Sequence, residues 1–292
     1  MLLSFIVLVV SQTITFTGDI LLDRGVRQQI ETRGTESLFT PGIDSVLRAS
    51  TIVVGNLECP ATTIKAPTFK RFVFRGEPEW LEALREHGFT HLNLANNHSV
   101  DQVRRGLEDT FRQVIAHGMT PLGADSTQAA AAQPVLLAAK PRAVWLLPTL
   151  RMPLENYPWL PESWSVSQDD DDNLVRRVAD MRRADSTAVI IVMPHWGWEH
   201  HLEPVGQQRI LAHRIIDAGA DLIIGHHPHT LQTIEDYRGH YIFYSLGNFI
   251  FDQKKPINSR AAIVTIDITT DSLALRTHHI QISRCAPTLI DK

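Results

Sequence analysis

Five apolar runs of strand length in this chain each stop at a cluster of residue types that bind metals. Thr13–Thr17 leads into Gly18-Asp19, and Thr51–Val54 into Gly55-Asn56-Leu57-Glu58. His91–Leu94 leads into Asn96-Asn97-His98, Thr187–Met193 into His195-Trp196-Gly197, and Asp221–Ile224 into Gly225-His226-His227-Pro228-His229. In open α/β sheets ligands gather at the carboxyl ends of strands, so five such endings should converge in space. A lone Asp after a strand is usually a turn or cap. Five endings in succession, all of ligand type, require a common explanation.

Between these runs lie helical patterns. Asp101–His117 carries Val103, Leu107, Phe111, Val114 and Ile115 at a helical period, and Asp23–Thr32, Pro78–His87, Asp169–Ala184 and Pro204–Ala218 read as further helices. Asp169 to Asp172 open one of them; charge favoured by a helix N-terminus accounts for these aspartates better than a calcium site does. Ala143–Leu147 is another strand. After Ile224 the texture changes: Thr230–Glu235, Tyr241–Ser245, Ala261–Ile268 and Leu273–Ser283 read as strands joined by turns. Alternating β-α units with a β-rich tail indicate an α/β domain with mixed or stacked sheets. The Pro- and Trp-rich stretch Pro148–Gln168 reads as a loop facing the substrate. No linker divides residues 12–292.

Composition narrows the chemistry. A net charge of −4 offers no electrostatic reason to expect nucleic acid. Seven of the 14 histidines fall between His195 and His229, among them His200, His201 and His213. Imidazole is the commonest metal ligand and acid–base group near neutral pH. Two distant cysteines, Cys59 and Cys285, exclude a zinc knuckle but permit one disulfide. Residues 1–11, led by MLLSFIVLVV, are too short to span a bilayer and suit the core of an export signal, although no basic residue precedes them. The expectation is an exported protein with no transmembrane helix. Carboxylates, imidazoles and an Asn carbonyl suit borderline divalent ions such as Zn, Mn, Fe or Ni, and a carboxylate able to bridge suits a two-metal site. There is no G-x-S-x-G elbow, Walker A loop or G-x-G-x-x-G turn.

The order of ligand types resembles that of the calcineurin-like metallophosphoesterases. More closely, FTGDILLDRG, GNLECP, LANNHSVDQ, PHWGWEHHLEP, GHHPHTLQ and YSLGNFIFDQ resemble the motifs of the CapA family of poly-γ-glutamate capsule biosynthesis, over about Thr13 to Asp252. The resemblance implies a four-layer αββα sandwich with mixed sheets. It implies two divalent metal ions held by Asp19, a bridging Glu58, Asn97, His195, His227 and His229, with His98 as general acid or transition-state stabiliser and His226 a bystander. Where the superfamily has Asp-x-His, this chain has Asp19-Ile20-Leu21, so one ion lacks an imidazole and would fall back on Asp23 or water. Glu199 and His200 are candidates to orient His195, and Asn56, Asn248 and Asp252 to line the pocket, although Gly247-Asn248 could simply form a turn. Lys70, Arg71 and Arg75 would hold an anionic substrate or belong to a solvated edge strand.

The expected activity is therefore metal-dependent hydrolysis of a phosphoester in the making of an anionic envelope polymer. A peptide or γ-glutamyl amide enzyme, and a polymer-binding assembly factor working with capsule-synthesis membrane proteins, remain open alternatives.

Overall fold

The computed structural model describes residues 11–154 and 162–290. The expected export signal at residues 1–11 lies almost wholly outside the described residues, as does the middle of the 148–168 stretch. Strand β1 (Gln12–Ile20) is followed by helices α1 (Arg24–Arg33) and α2 (Pro41–Arg48) and by β2 (Ile52–Leu57). Helix α3 (Leu81–Glu86), β3 (His91–Asn93), α4 (Val103–Ala116) and β4 (Thr120–Leu122) continue the alternation. Short β5 (Ala124–Asp125) and α5 (Gln128–Ala131) lead to the hairpin β6 (Val135–Ala138) and β7 (Val144–Leu150). After β8 (Ser165–Val166) come α6 (Asp171–Ala184), β9 (Val189–His195), α7 (Gly206–Asp217) and β10 (Leu222–Ile224). Apart from a 3-10 turn at Pro256–Asn258, the regular structure of the tail is strand: β11 (Ile234–Tyr237), β12 (His240–Phe243), β13 (Asn248–Ile250), β14 (Arg260–Ile268), β15 (Leu273–Ser283) and β16 (Ala286–Leu289).

Two mixed sheets result. The first runs β16-β15-β14-β1-β2-β3-β4, with β13 beside the far end of β1; the second runs β11-β12-β10-β9-β7-β6. Strands β1 to β4 are mutually parallel, and β14 to β16 extend the sheet antiparallel from β1. In the second sheet β12, β10, β9 and β7 are parallel, with antiparallel β11 and β6 on the edges.

Strand β9 shows how its sequence makes the layers. Successive side chains point to opposite faces of a strand, and both faces here are buried, so the run is apolar throughout. Val189, Ile191 and Met193 pack between the sheets with Phe16, Val54, Ile224 and Val264. Ile190 and Val192 face outward onto Val178, Leu211 and Ile215 of α6 and α7. A third core joins the outer face of the first sheet to α1–α4 through Val26, Ile43, Leu84 and Leu107. Three apolar interiors separate four layers, the αββα sandwich that the family resemblance implied.

Some local readings need correction. Pro78–His87 is a 3-10 turn, Pro78–Trp80, ahead of a shorter helix, and Thr230–Glu235 becomes strand only from Ile234. Pro148 to Leu150 belong to β7, where pairing with Met193 to His195 overrides the loop-like composition. Residues 69–75 form no strand. Asp170 caps α6, its side chain accepting from Asn173 N, with Asp171 and Asp172 in the first turn, which is the reading favoured above calcium. Both cysteines are free, so the disulfide allowed by the sequence is absent.

Candidate metal centre

The five strand endings meet at one edge shared by the two sheets. Asp19 closes β1, Glu58 follows β2, Asn97 and His98 follow β3, His195 closes β9, and the His226–His229 segment follows β10. Two glycines allow the approach. A Cβ on Gly18 would lie 2.0 Å from the Gly247 carbonyl oxygen, and one on Gly225 would lie 2.1 Å from that of Tyr244. Within the second sheet the ends of β9 and β10 stay paired through His226 N donating to Pro194 O at 2.9 Å and Trp196 N donating to His226 O at 3.1 Å. His200, His227 and His229 all have positive φ (63°, 100° and 57°). Left-handed backbone costs a non-glycine residue about 1–3 kcal/mol, and its clustering here marks a segment shaped by its site.

Two triads of ligand atoms form, Glu58–His195–His227 and Asp19–Glu58–His229, with Glu58 common to both. Its Oε1 lies 3.6 Å from His195 Nε2 and 3.6 Å from His229 Nε2. Asn97 Oδ1 faces His195 Nε2 at 2.8 Å, beside the first triad. Glu58 is fully buried, yet neither carboxylate oxygen has a hydrogen-bond partner, and buried His227 Nδ1 has none either. A buried carboxylate without a partner is costly, and a bound cation removes that cost. This donor set of carboxylate, imidazole and amide oxygen fits two divalent ions sharing Glu58.

The titration of these groups reflects the same crowding. Burial pushes Glu58 well above the usual carboxylate range, only partly countered by His229. Burial would also raise Asp19, but the His229 hydrogen bond and the His226 charge hold it below that range. Burial alone would lower His229; the Glu58 charge and the Asp19 contact outweigh it and push it up to about 9. Burial drives His195 well below the usual imidazole range and His227 down to about 3, aided by neighbouring histidines. Unprotonated imidazoles are the ligand form.

The structure assigns supporting roles that differ from expectation in several places. The Asp19 triad does contain an imidazole, His229, and Asp23 takes no part: it caps α1 and binds Arg27 and Arg75 N. Glu199 and His200 do not touch His195; they line the cavity above it. Asn56 holds that place, donating to Asp19 Oδ1 at 2.8 Å and lying 3.3 Å from His195 Nδ1, while its own Oδ1 accepts from Asn93 and Asn96. Arg75 is not in the cavity, because Glu77 and the Thr62 carbonyl engage its guanidinium. Asn248 sits at the start of β13, its Oδ1 3.0 Å from His229 Nδ1, rather than in a free turn. Asp252 lines the cavity but is paired with Arg24 at 2.7 Å. His226 is turned away, its Nε2 2.9 Å from the Thr17 carbonyl oxygen.

Sequence reading missed the group behind His98. Its Nδ1 lies 2.8 Å from Asp101 Oδ2, and its ring packs against Phe74, with centroids 4.2 Å apart and planes tilted by 30°. Asp101 also accepts from Phe74 N at 2.7 Å and meets Lys70 Nζ at 2.5 Å. Lys70 donates to the Asn97 carbonyl at 2.9 Å, so one buried cation ties His98's partner to the Asn97 backbone. The only local signal was an acid three residues beyond a histidine. Lys70, 31 positions earlier, was expected to hold substrate or lie on a solvated edge; instead its side chain is buried against Asp101, a pairing that nothing along the chain indicated. Burial lowers His98 below the usual imidazole range, partly offset by Asp101.

The family described as "Bacterial capsule synthesis protein PGA_cap" matches residues 13–253, a stretch that holds every ligand candidate. The chain belongs to this family. Among similar PGA_cap relatives, the PGA biosynthesis protein CapA of Bacillus subtilis is 34% identical over 244 residues, covering 82% of this chain and 63% of that protein. The capsule biosynthesis protein CapA of Bacillus anthracis is 30% identical over 269 residues, covering 90% and 65%. The chain thus spans just under two thirds of these relatives' length. In solved structures, a 5'-nucleotidase precursor from Thermus thermophilus superposes with a TM-score of 0.53 at 13% identity, covering 95% of this chain and 56% of its own. The NAD nucleotidase of Haemophilus influenzae gives 0.51 at 8%, covering 97% and 60%. At that identity the likeness establishes the metallophosphatase-type fold alone.

Proposed function

We propose that this PGA_cap protein is a metal-dependent hydrolase whose two-ion centre cleaves a phosphoester of an anionic substrate during synthesis of a capsule or related envelope polymer. The observation that carries the reading is Glu58, wholly buried, unpartnered at both oxygens and shared by the two ligand triads. Asp19, Glu58 and His229 would hold one ion; Glu58, Asn97, His195 and His227 would hold the other. When bound, such ions polarise phosphoryl oxygens and make water a nucleophile at neutral pH.

The chain's own residues supply the remaining chemistry. Asp101 fixes the His98 ring through Nδ1, leaving Nε2 as the nitrogen free to work in the cavity. Because burial keeps His98 below the usual range, Nε2 is largely unprotonated near neutral pH and can take up the proton that the attacking water gives up. The Asp101 carboxylate then stabilises the imidazolium, which delivers the proton to the leaving oxygen. Asn56 holds Asp19 and faces His195, keeping one member of each triad in place.

The relatives' names, which concern PGA and capsule biosynthesis, favour a second reading in which the same centre acts on a γ-glutamyl amide. The envelope is the location that suits either activity; among the described residues no helix is long and apolar enough to cross a membrane. The test is elemental analysis of purified protein alongside hydrolysis of a generic bis-phosphodiester, a phosphomonoester and γ-glutamyl peptides, for wild type and His98→Ala. Near two ions per chain, with phosphoester turnover lost in the variant while metal is retained, supports the proposal. Turnover of γ-glutamyl peptides alone moves the assignment to the amide, and failure to load metal at all sinks the catalytic reading.

A further inference from the structure

The centre is not the floor of a closed pocket. One cavity of about 650 Å³ reaches His98 and His229 from the side of Lys254 and Lys255. A second, of about 220 Å³, reaches Asn97 and His98 from the side of Met152 and Pro153. The two share Arg71, Phe72, His98 and Glu199 as lining, and each reaches one ligand candidate, His229 in the first and Asn97 in the second, so they adjoin at the candidate centre and together offer a trough that extends to either side of it.

The charges along the trough are uneven. Arg24 is neutralised by Asp252 at 2.7 Å, and Lys70 is buried against Asp101. Among the described residues Arg71, Lys254 and Lys255 have no carboxylate partner, and all three are exposed on the trough wall. Phe72, 49% exposed at the shared wall, adds an apolar edge over which an aliphatic backbone can lie. Glu199, 3.6 Å from His200, is the one carboxylate common to both cavities and lies beside the ligands, where bound cations offset it. In a chain of net charge −4, three unpaired cations around one trough are a local feature.

We propose that the trough binds an extended anionic polymer across the metal centre. The polymer continues in both directions from the scissile group, with Lys254 and Lys255 holding charges on one side and Arg71 holding charge above the centre. Attack then falls on internal bonds of the chain rather than on its end. The binding claim stands on the trough itself; the cleavage claim rests on the hydrolase reading above, with the scissile bond a γ-glutamyl amide in a polyglutamate or a phosphoanhydride in a polyphosphate. The shared chemistry is one negative charge per repeat, which a polycarboxylate and a polyphosphate both offer.

The experiment uses the metal-loaded full chain. Fluorescence anisotropy follows labelled poly-γ-glutamate of two to about twenty repeats, with inorganic polyphosphate of matched charge in parallel; the tighter binder identifies the source of charge. Affinity should rise at least tenfold with length and weaken with salt, as exposed ion contacts are screened. Lys254→Ala/Lys255→Ala and Arg71→Ala should each weaken the long probe about fivefold or more, with metal content by elemental analysis unchanged. Pro153→Glu, which adds an anion on the exposed far side, should weaken the long probe and leave the two-repeat probe alone. No length dependence, or wild-type binding in the lysine variant, overturns the proposal. If Pro153→Glu binds the long probe as wild type does, the chain enters from one side only and the crossing is refuted. Because binding is read without turnover, an inactive protein with length-dependent affinity would count against the hydrolase reading and not against the trough. Where the polymer is cut, early mid-sized fragments are expected; products released only from the ends would refute internal attack.

Discussion

Replacing Lys70 with Met tests whether the buried cation behind His98 holds the site together. The Lys70 and Asp101 side chains are 6% and 0% exposed and lie 2.5 Å apart. Removing one partner of a buried ion pair typically costs about 3–5 kcal/mol, because the remaining charge stays buried without compensation. Asp101 keeps its hydrogen bond from Phe74 N and its contact with His98, which places the loss at the lower end, about 3 kcal/mol. For a chain of 292 residues that is a fall in Tm of roughly 5 °C. The assay is urea denaturation of the metal-loaded protein at pH 7, for wild type, Lys70→Met, Asp101→Asn and the double variant. The double variant should recover at least about 1 kcal/mol relative to the sum of the single losses. Lys70→Arg, which keeps the charge, should lose much less. A Lys70→Met protein within about 0.5 kcal/mol of wild type, or strict additivity in the cycle, would refute the argument.

Other outcomes follow from the same geometry. Glu58→Gln should lose both ions in elemental analysis, since the carboxylate is common to the two triads, whereas His227→Ala should lose mainly one. With His229 raised to about 9, its proton must leave before the ring can bind metal. Metal affinity should therefore climb as much as tenfold per unit between pH 7 and 9, with protons released on uptake, as read by calorimetry in two buffers of different ionisation enthalpy. In the metal-free protein the sign is opposite: a raised histidine adds stability that is complete below about pH 6.5 and is lost as pH rises through about 9. Gly225→Ala should destabilise by about 3 kcal/mol or more, because its Cβ would overlap the Tyr244 carbonyl and part the ends of the neighbouring strands β10 and β12; an unchanged melting temperature would contradict that contact.

Much of this protein is legible along the chain because its chemistry is written at strand ends. An apolar run that stops at Gly18-Asp19 or Gly225-His226 reports both a buried strand and the place where its polar end surfaces, and both facts are local. The ligand types Asp19, Glu58, Asn97, His195, His227 and His229, and the alternation that builds the layers, were visible for that reason. Short elements such as α2, β5, β13 and β16 were not, since a few residues carry too little periodicity and their pairing partners decide them. The loop-like composition of Pro148–Leu150 yielded to pairing with β9 for the same reason.

What the chain alone could not determine is which groups face one another. Only the stacking of two sheets makes Glu58 common to two triads, puts Asn56 rather than Glu199 beside His195, and brings the His229 imidazole to the Asp19 triad. Lys70 reaches Asp101 across 31 positions, and Arg71 shares a trough with Lys254 across 183. Residue types and their local order come from the sequence directly. The sharing of a ligand, the pairing of a buried charge and the isolation of an exposed one depend on distances between segments that meet only when the sandwich closes.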